Sequence, residues 1–467
     1  MLHTLFRKIF PGDQPAFLLK DDFSQPLAVD LIDGTLAPGT GTVAQRTRKV
    51  TDSNHKLSIA SGLLNFATGG AAVGDPGLWY GLYTRTAGRM LIVEHTPNVR
   101  KAGVGWDSAQ TGAILDQLKF GATTAGNLEL SINGALTGLV VGTYTSGLSY
   151  YVAGIMRATG IYWFIKGGTE YTLWKLLYAT ASVTADAYPG IGTAATSVVG
   201  TSSFARIPQA TWLPPVLAYD TFTRTGAIGS TETTDPDGNA CSALVWTGAT
   251  WTTSATVALN TPNLGVEQDS GNLVVGTFYS ITATEVDHFF TDCIVGNTFK
   301  ASSATALDAN NKVRALTTQE LFACVTPLTS NVVATAKVTI TTNGKRAGMV
   351  LCLDSITTPT AFMVTLTEGS NAKLDKYTTA GGWVNVIMGA ITYSAGKELR
   401  VIKDETLVTL YYNDLIVGTT TAVTNAEIVD NNLHGLFSTY NTNYILDFTV
   451  RARGNEGQYS QLDAFIK

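Results

Sequence analysis

Apolar and polar residues trade places at every second position in run after run of this chain, and that alternation narrows its fold more than any other feature. It is clearest in "KLSIASGLLNFATG" (56–69), "RMLIVEHTP" (89–97), "GNLELSING" (126–134) and "IYWFIKGG" (161–168). It returns in "ATAKVTITTNG" (334–344), "KELRVIKDETLVTLYYNDL" (397–415) and "YILDFTVRA" (444–452). Period two sends successive side chains to opposite faces of an extended strand. The runs are rich in β-branched and aromatic residues, and Gly, Asn and Asp interrupt them at turns. Many short strands separated by turn signals make a sandwich or barrel. Helical spacing competes only in short stretches: the first residues, "GAILDQLKF" (112–120), "TLWKLLYA" (172–179) and "TQELFACV" (318–325).

A chain of 467 residues exceeds one ordinary core. The break is expected at "PQATWLPPVLAYD" (208–220), because Pro214 and Pro215 hold extended backbone and remove two ladder donors. The expected organisation is an N-terminal arm over 1–18, a first domain over 19–210, a Pro-rich linker at 211–216, a second domain over 217–453 and a tail over 454–467. The domains read as one plan used twice. "LKDDFSQ" (19–25) and "AYDTFTRT" (218–225) open them, and each later reaches a strand–turn–strand hairpin, "IYWFIKGGTEYTLW" (161–174) and "TLVTLYYNDLIVGTT" (406–420).

This order resembles the concanavalin A-like, laminin G-like jelly roll. In the second half the family's opening D-x-F falls at Asp220–Phe222 and its late hairpin at Tyr411–Leu415. Its G-l-φ strand falls at Gly435–Phe437, and its closing aspartate-bearing strand at Leu446–Val450. The first half departs from the pattern at its end, where "SFARIP" stands in place of that last strand. The resemblance implies an all-β chain of two tandem antiparallel β-sandwich (jelly-roll) domains with a short N-terminal arm.

Glucanases of this fold carry E-x-D-x-E or E-x-D-x-x-E on one strand. "TATEVDHFF" (282–290) supplies Glu285 and Asp287, but the third carboxylate position holds Phe289 or Phe290, so no acid stands ready to protonate a leaving group. The expected reading is a strand face, not a catalytic centre. "DPDGNACSALVW" (235–246) begins like a calcium loop with Asp235 and Asp237, yet Ala240 and Trp246 occupy the positions of the turn glycine and the bidentate Glu. A looser calcium site through Asp235 and Asp237 competes with a plain polar turn. His3, His55, His95, His288 and His434 form no HxxxH or HxH pair, which argues against zinc. Trp79, Tyr80, Tyr83, Trp106, Trp163 and Trp383 lie beside glycine-rich turns; rings at loop tips stack on sugars, whereas a sandwich core also needs them. Trp79, Tyr80, Trp106 and Trp383 are the candidate glycan-binding residues.

The net charge of −5 divides into +3 over residues 1–212 and −8 over 213–467. Neither half has a basic stripe, so no nucleic-acid partner is expected. No segment approaches a membrane span. Cys241, Cys293, Cys324 and Cys352 show no close spacing; Cys324 and Cys352 lie in apolar runs, and a disulfide between two of the four stays open. In "MLHTLFRKIFPGDQ", Leu2, Phe6, Ile9 and Phe10 fall on one helical stripe without an export-type h-region. A low-charge chain of tandem jelly rolls with such a start resembles bacteriophage virion proteins. That resemblance implies a non-enzymatic structural protein on the particle surface, as head decoration, tail or fibre, assembled in the host cytoplasm. Its arm would anchor to other virion proteins, its copies would form a homo-oligomer, and its sandwiches would face a host glycan. No cofactor other than calcium is expected. A glucanase using Glu285 and Asp287, and an assembly scaffold without ligand, remain the alternatives.

Overall fold

The computed structural model describes the chain except at residues 1–14, 25–27, 30–32, 68–75, 99–101, 111–115, 133–134, 159, 182–185, 194–199, 276, 284–297, 302, 342–344 and 368–369. It is all-β, in two compact units. One unit comprises the chain up to Pro214 together with Gly454–Lys467; the other is Pro215–Arg453.

The first unit stacks two antiparallel sheets. One is nine-stranded: Tyr171–Ala181, Gly160–Gly167, Tyr150–Met156, Met90–Pro97, Gly200–Pro208, Leu63–Phe66, Leu57–Ala60 and Ala28–Val29 in spatial order, with Phe17–Asp21 also on Gly200–Pro208. The other is seven-stranded: Ala135–Thr143, Asn127–Ile132, Asp116–Phe120, Ala102–Asp107, Tyr188–Thr193, Gly77–Trp79 and Lys49–Thr51. Two of the competing helical stretches are therefore strands, Asp116–Phe120 and Tyr171–Ala181; in the third, only the turn Thr318–Leu321 is helical before the strand Phe322–Val325. Burial on both faces overrode local spacing, because ladder pairing satisfies the backbone of a short apolar run as well as a helix does.

The second unit repeats the plan. Its nine-stranded sheet runs Leu415–Ala422, Leu407–Tyr412, Lys397–Asp404, Val332–Thr339, Tyr444–Ala452, Val257–Asn260, Trp251–Ser254 and Gly226–Ala227, with Val216–Asp220 on Tyr444–Ala452. Its six-stranded sheet runs Gly382–Ala390, Asn371–Thr378, Ala361–Thr367, Ala347–Leu353, Leu433–Ser438 and Phe322–Val325. The opening strands match even in their irregularity: register slips between Phe17 and Leu19 and again between Val216 and Ala218. "SFARIP" closes the first unit as the aspartate-bearing strand closes the second, Ala205 facing Asp21 as Phe448 faces Asp220.

The D-x-F phrase is a buried fastening made twice. Asp21 and Asp220 are both 0% exposed. Asp21 accepts from Arg48 Nε (2.8 Å) and Nη2 (2.8 Å), from the Tyr80 hydroxyl (2.9 Å) and from Phe23 N (3.2 Å). Asp220 accepts from Arg224 Nη1 (2.9 Å) and Nη2 (2.6 Å), from Trp246 Nε1 (2.7 Å) and from Phe222 N (2.8 Å). Phe23 and Phe222 both take left-handed backbone, φ 49° and 57°. That conformation costs an L-residue about 1 kcal/mol or more, which the carboxylate bond to each Phe amide offsets.

Between Val257–Asn260 and Phe322–Val325 the second unit carries a further four-stranded sheet, Leu264–Gln268, Lys312–Leu316, Phe278–Ala283 and Thr298–Lys300. In the first unit the corresponding strands, Leu63–Phe66 and Gly77–Trp79, follow one another closely in sequence. Phe278 and Leu316 of the added sheet join Phe322, Val350, Phe362 and Phe437 in an apolar cluster, so this sheet lies on the outer face of the six-stranded one. The inner core of the unit is separate and contains Phe222, Trp246, Leu351 and Phe448.

The last residues, expected as a tail, are packed into the first unit. Tyr459, Leu462 and Phe465 are buried. Asp463 Oδ1 accepts from Lys166 Nζ at 2.7 Å and from Trp174 Nε1 at 2.9 Å, and the Tyr459 ring stands edge-on to Phe164 at 4.8 Å. Gly454 makes the entry: with φ +105°, a Cβ there would lie 2.2 Å from the Trp174 carbonyl oxygen.

Candidate functional site

Polar side chains collect on the outer face of the seven-stranded sheet. On Ala102–Asp107, Trp106 points inward and donates from Nε1 to the Gly154 oxygen of the opposite sheet at 3.1 Å. Alternation then turns Gly103, Gly105 and Asp107 outward. On Asp116–Phe120 the Phe120 ring packs inward against His95 (5.2 Å) and Tyr150 (5.9 Å), which turns Gln117 and Lys119 outward. Glu129 faces Lys119, and Ser131 faces Gln117, from the neighbouring strand. On the other side Tyr188 faces Asp107, Gly190 faces Gly105 and Trp79 faces Gly190.

Glycine shapes this face. A Cβ on Gly190 would lie 2.2 Å from Trp79 Cε3, and one on Gly103 would lie 2.0 Å from Gln117 Nε2. The bare backbone is what lets the indole and the carboxamide lie flat on the sheet.

The side chains are buried: Asp107 is 2%, Gln117 1%, Lys119 4% and Glu129 0% exposed. Glu129 is engaged in the adjoining turn, accepting from Thr123 N (2.9 Å), Thr123 Oγ1 (2.8 Å) and Thr124 N (3.1 Å). Asp107 accepts through Oδ1 from Ala109 N at 3.2 Å, while its Oδ2 and the Gln117 Nε2 meet no hydrogen-bond partner among the described residues. Burial pushes the Asp107 carboxyl up to about 6, against the backbone amides of Ala109 and Ser108 and with a smaller push from Asp116. Burial pulls the Lys119 ammonium down to about 8, with Glu129 acting in the opposite sense. One acceptor, one amide donor and one ammonium thus share a face, a set that can hydrogen-bond a ligand carrying hydroxyls. Reading 112–120 as a helix hides this set; read with period two, Gln117 and Lys119 fall together.

The rings expected at loop tips are core residues. Trp79, Tyr80 and Trp106 are at most 2% exposed, and Tyr83 and Trp163 are buried with them. The Tyr80 hydroxyl is committed to Asp21. Trp383 is half-buried, edge-on to Phe278 at 5.9 Å. Burial leaves Trp79, Tyr80, Tyr83, Trp106 and Trp163 no open face for stacking on a sugar. Trp79 alone also belongs to the polar outer face.

Asp235 and Asp237 do not fit calcium. Asp235 Oδ1 accepts from Asp237 N (2.9 Å) and Asn239 N (2.8 Å), and its Oδ2 lies 3.2 Å from Asn239 Nδ2. A carboxylate surrounded by N–H donors closes a polar turn and offers a cation no ligand sphere. Cys241, Cys324 and Cys352 are free thiols, the last two buried, with burial pushing Cys352 up to about 12. Cys293, the pair Glu285 and Asp287, and the arm residues Leu2, Phe6, Ile9 and Phe10 lie outside the described residues.

No protein-family model and no curated protein matches the sequence. Solved structures do resemble it. The catalytic domain of an endo-1,3-beta-glucanase (laminarinase) from Thermotoga petrophila is 8% identical, with 51% of this chain and 98% of that one covered and a TM-score of 0.27. A carbohydrate-binding module from Bacillus subtilis is 11% identical over 28% of this chain and 78% of its own, with a TM-score of 0.21. Sheep galectin-11 is 12% identical over 26% and 93%, with a TM-score of 0.20. At such identities and TM-scores the likeness assigns neither a family nor a function, and the sandwich architecture rests on the sheets themselves.

Proposed function

We propose that this chain is a non-enzymatic structural protein of a bacteriophage virion, displayed on the particle surface as a head-decoration or tail/fibre component, whose first unit binds a host glycan on the outer face of the seven-stranded sheet. One observation carries the ligand-binding half: Asp107 Oδ2 and Gln117 Nε2, an acceptor and a donor, are buried on one face beside Lys119 without hydrogen-bond partners among the described residues. Leaving such groups unpaired costs roughly 1–3 kcal/mol each. A sugar hydroxyl donates and accepts at once and relieves both. The group recognised enters the polar layer as a pendant hydroxyl; it does not stack flat on an exposed ring. In the second unit the added four-stranded sheet covers the corresponding face with apolar side chains, which leaves the first unit as the ligand-binding one. The virion setting rests on the resemblance of a low-charge, tandem jelly-roll chain to such proteins, and the N-terminal arm would supply the contact with other virion proteins.

The test is a glycan-array titration of the full chain, with calcium and with chelator, reading bound protein and released reducing ends. Binding without release, indifferent to chelator and reduced at least about tenfold in Gln117→Ala, is the expected result. Silence across the array removes the glycan ligand and leaves an assembly scaffold. Released ends overturn the non-enzymatic reading.

A further inference from the structure

We infer that the glycan taken by the outer face of the seven-stranded sheet is an acidic one, its sugar carboxylate seated over Gly103 between the Lys119 ammonium and the Gln117 carboxamide. This rests on the reading of that face as the glycan site and adds the chemical class of the ligand. Register brings the two donors to one place. Lys119 pairs with Gly103, and Gln117 pairs with Gly105. The Gln117 side chain nevertheless lies back over Gly103, where an added Cβ would be 2.0 Å from its Nε2. The carboxamide N–H and the Lys119 side chain thus flank one bare residue. Gly192 stands across from Gly103, and Gly77 across from Gly192. From the donors the floor therefore runs over neighbouring strands for about 10 Å without a side chain of its own.

The donors at this end have no acceptor to meet. Lys119 is 4% exposed, and its ammonium makes no ion pair among the described residues. Glu129 faces it across the ladder and is the natural counter-ion. Both Glu129 oxygens are instead spent on the adjoining turn, accepting from Thr123 N, Thr123 Oγ1 and Thr124 N. Burial outweighs the pull of Glu129 and brings the ammonium down to about 8. A buried charge is costly until an opposite charge meets it. A hydroxyl would answer the hydrogen bonds and leave the charge. A carboxylate, which only accepts, answers both.

Asp107 fixes the direction of the ligand. It lies four residues along the strand from Gly103, roughly 13 Å at the usual strand rise. Its own charge keeps the sugar carboxylate at the Lys119 end, and its unpaired oxygen takes a hydroxyl at the other. The carboxylate of a uronic or sialic acid is exocyclic, so it enters a nearly closed polar layer ahead of the ring.

Calorimetric titration of the full chain with matched pairs tests this: trigalacturonate against its methyl ester, sialyllactose against lactose, and sodium acetate as a bare carboxylate. At least one acidic sugar should bind about tenfold or more tighter than its neutral counterpart. Lys119→Met should erase that preference without lowering the melting temperature, because it removes a charge that has no partner. Neutral sugars bound as tightly as acidic ones, here or on the array, overturn the acidic class and leave the glycan site standing. Acetate bound as tightly as the acidic sugars reduces the site to a simple anion pocket and overturns the sugar. A preference that survives in Lys119→Met overturns the assignment to this residue. Silence from every sugar here and on the array overturns the glycan reading, and this inference with it. The wild-type pairs need no variant to fold.

Discussion

Asp21 and Asp220 accept the same kinds of bond, yet their arginines differ in surroundings. The Arg48 side chain is 1% exposed and the Arg224 side chain 30%. Removing one partner of a buried ion pair leaves the other charge stranded, at about 3–5 kcal/mol, whereas a partly solvated pair loses far less. Arg48→Met should therefore lower the urea midpoint well beyond Arg224→Met; equal losses would show that the two fastenings are energetically alike. Asp107 makes a prediction of opposite sign. Its folded value of about 6 stands above the ordinary 3.8, so the folded state holds the proton more tightly. Its contribution to stability is complete below about pH 4 and lost as pH rises through 6. Asp107→Asn should then stabilise the protein by roughly 1–3 kcal/mol at pH 7 and by nearly nothing at pH 4, read from urea melts at both. A variant less stable at pH 7 would mean that the carboxylate has a structural task. His95 and His434 act the other way: burial lowers both to about 4 from 6.5, so stability present above pH 6.5 drains as pH falls toward 4.

Among the elements, the C-terminal segment has the clearest consequence. Its Asp463 joins Lys166 and Trp174, and its Phe465 and Lys467 carbonyl oxygens accept from Arg206 Nη1 at 3.3 and 3.0 Å. Phe465→Ala removes a buried ring, a loss of about 3–5 kcal/mol. The expected result is a lower melting temperature for the first unit together with a red-shifted tryptophan emission as Trp174 meets water. An unchanged emission would mean that the segment stays docked without its last anchor. The four-stranded sheet belongs to the same scale. It converts the outer face of the six-stranded sheet from a surface into a second core, with Phe278 against Phe437 at 5.7 Å.

At the scale of the whole molecule, the second unit is one continuous stretch and the first is two. Val216 pairs with Arg451, so the second unit begins and ends on neighbouring strands. It can be excised without stretching the chain. A chain of residues 1–214 joined by a short Gly-Ser linker to 454–467 should melt higher than 1–214 alone, by the burial of Tyr459, Leu462 and Phe465. Equal melting of the two would show that the returning segment adds nothing to the first unit's stability.

Period-two alternation, turn residues and the D-x-F repeat were enough to specify two all-β sandwiches, because each is a local property that pairing preserves. Strand limits such as Tyr444–Ala452 could be read directly. The repeat at Asp21 and Asp220 was visible as a phrase, though not as a buried bond, since its arginines lie at unrelated offsets of 27 and 4 residues. Tertiary structure decided the rest. Whether Trp79, Tyr80 and Trp106 faced solvent depended on what packed over them, which their glycine neighbours do not encode. Asp107, Gln117 and Lys119 come from two strands and meet only through ladder register. The return of residues 454–467 to the first unit is a contact between segments almost three hundred residues apart, as between Lys166 and Asp463. Side-chain alternation is written along the chain; burial and cross-strand neighbourhood belong to the assembled sheets, and the candidate site is made of these.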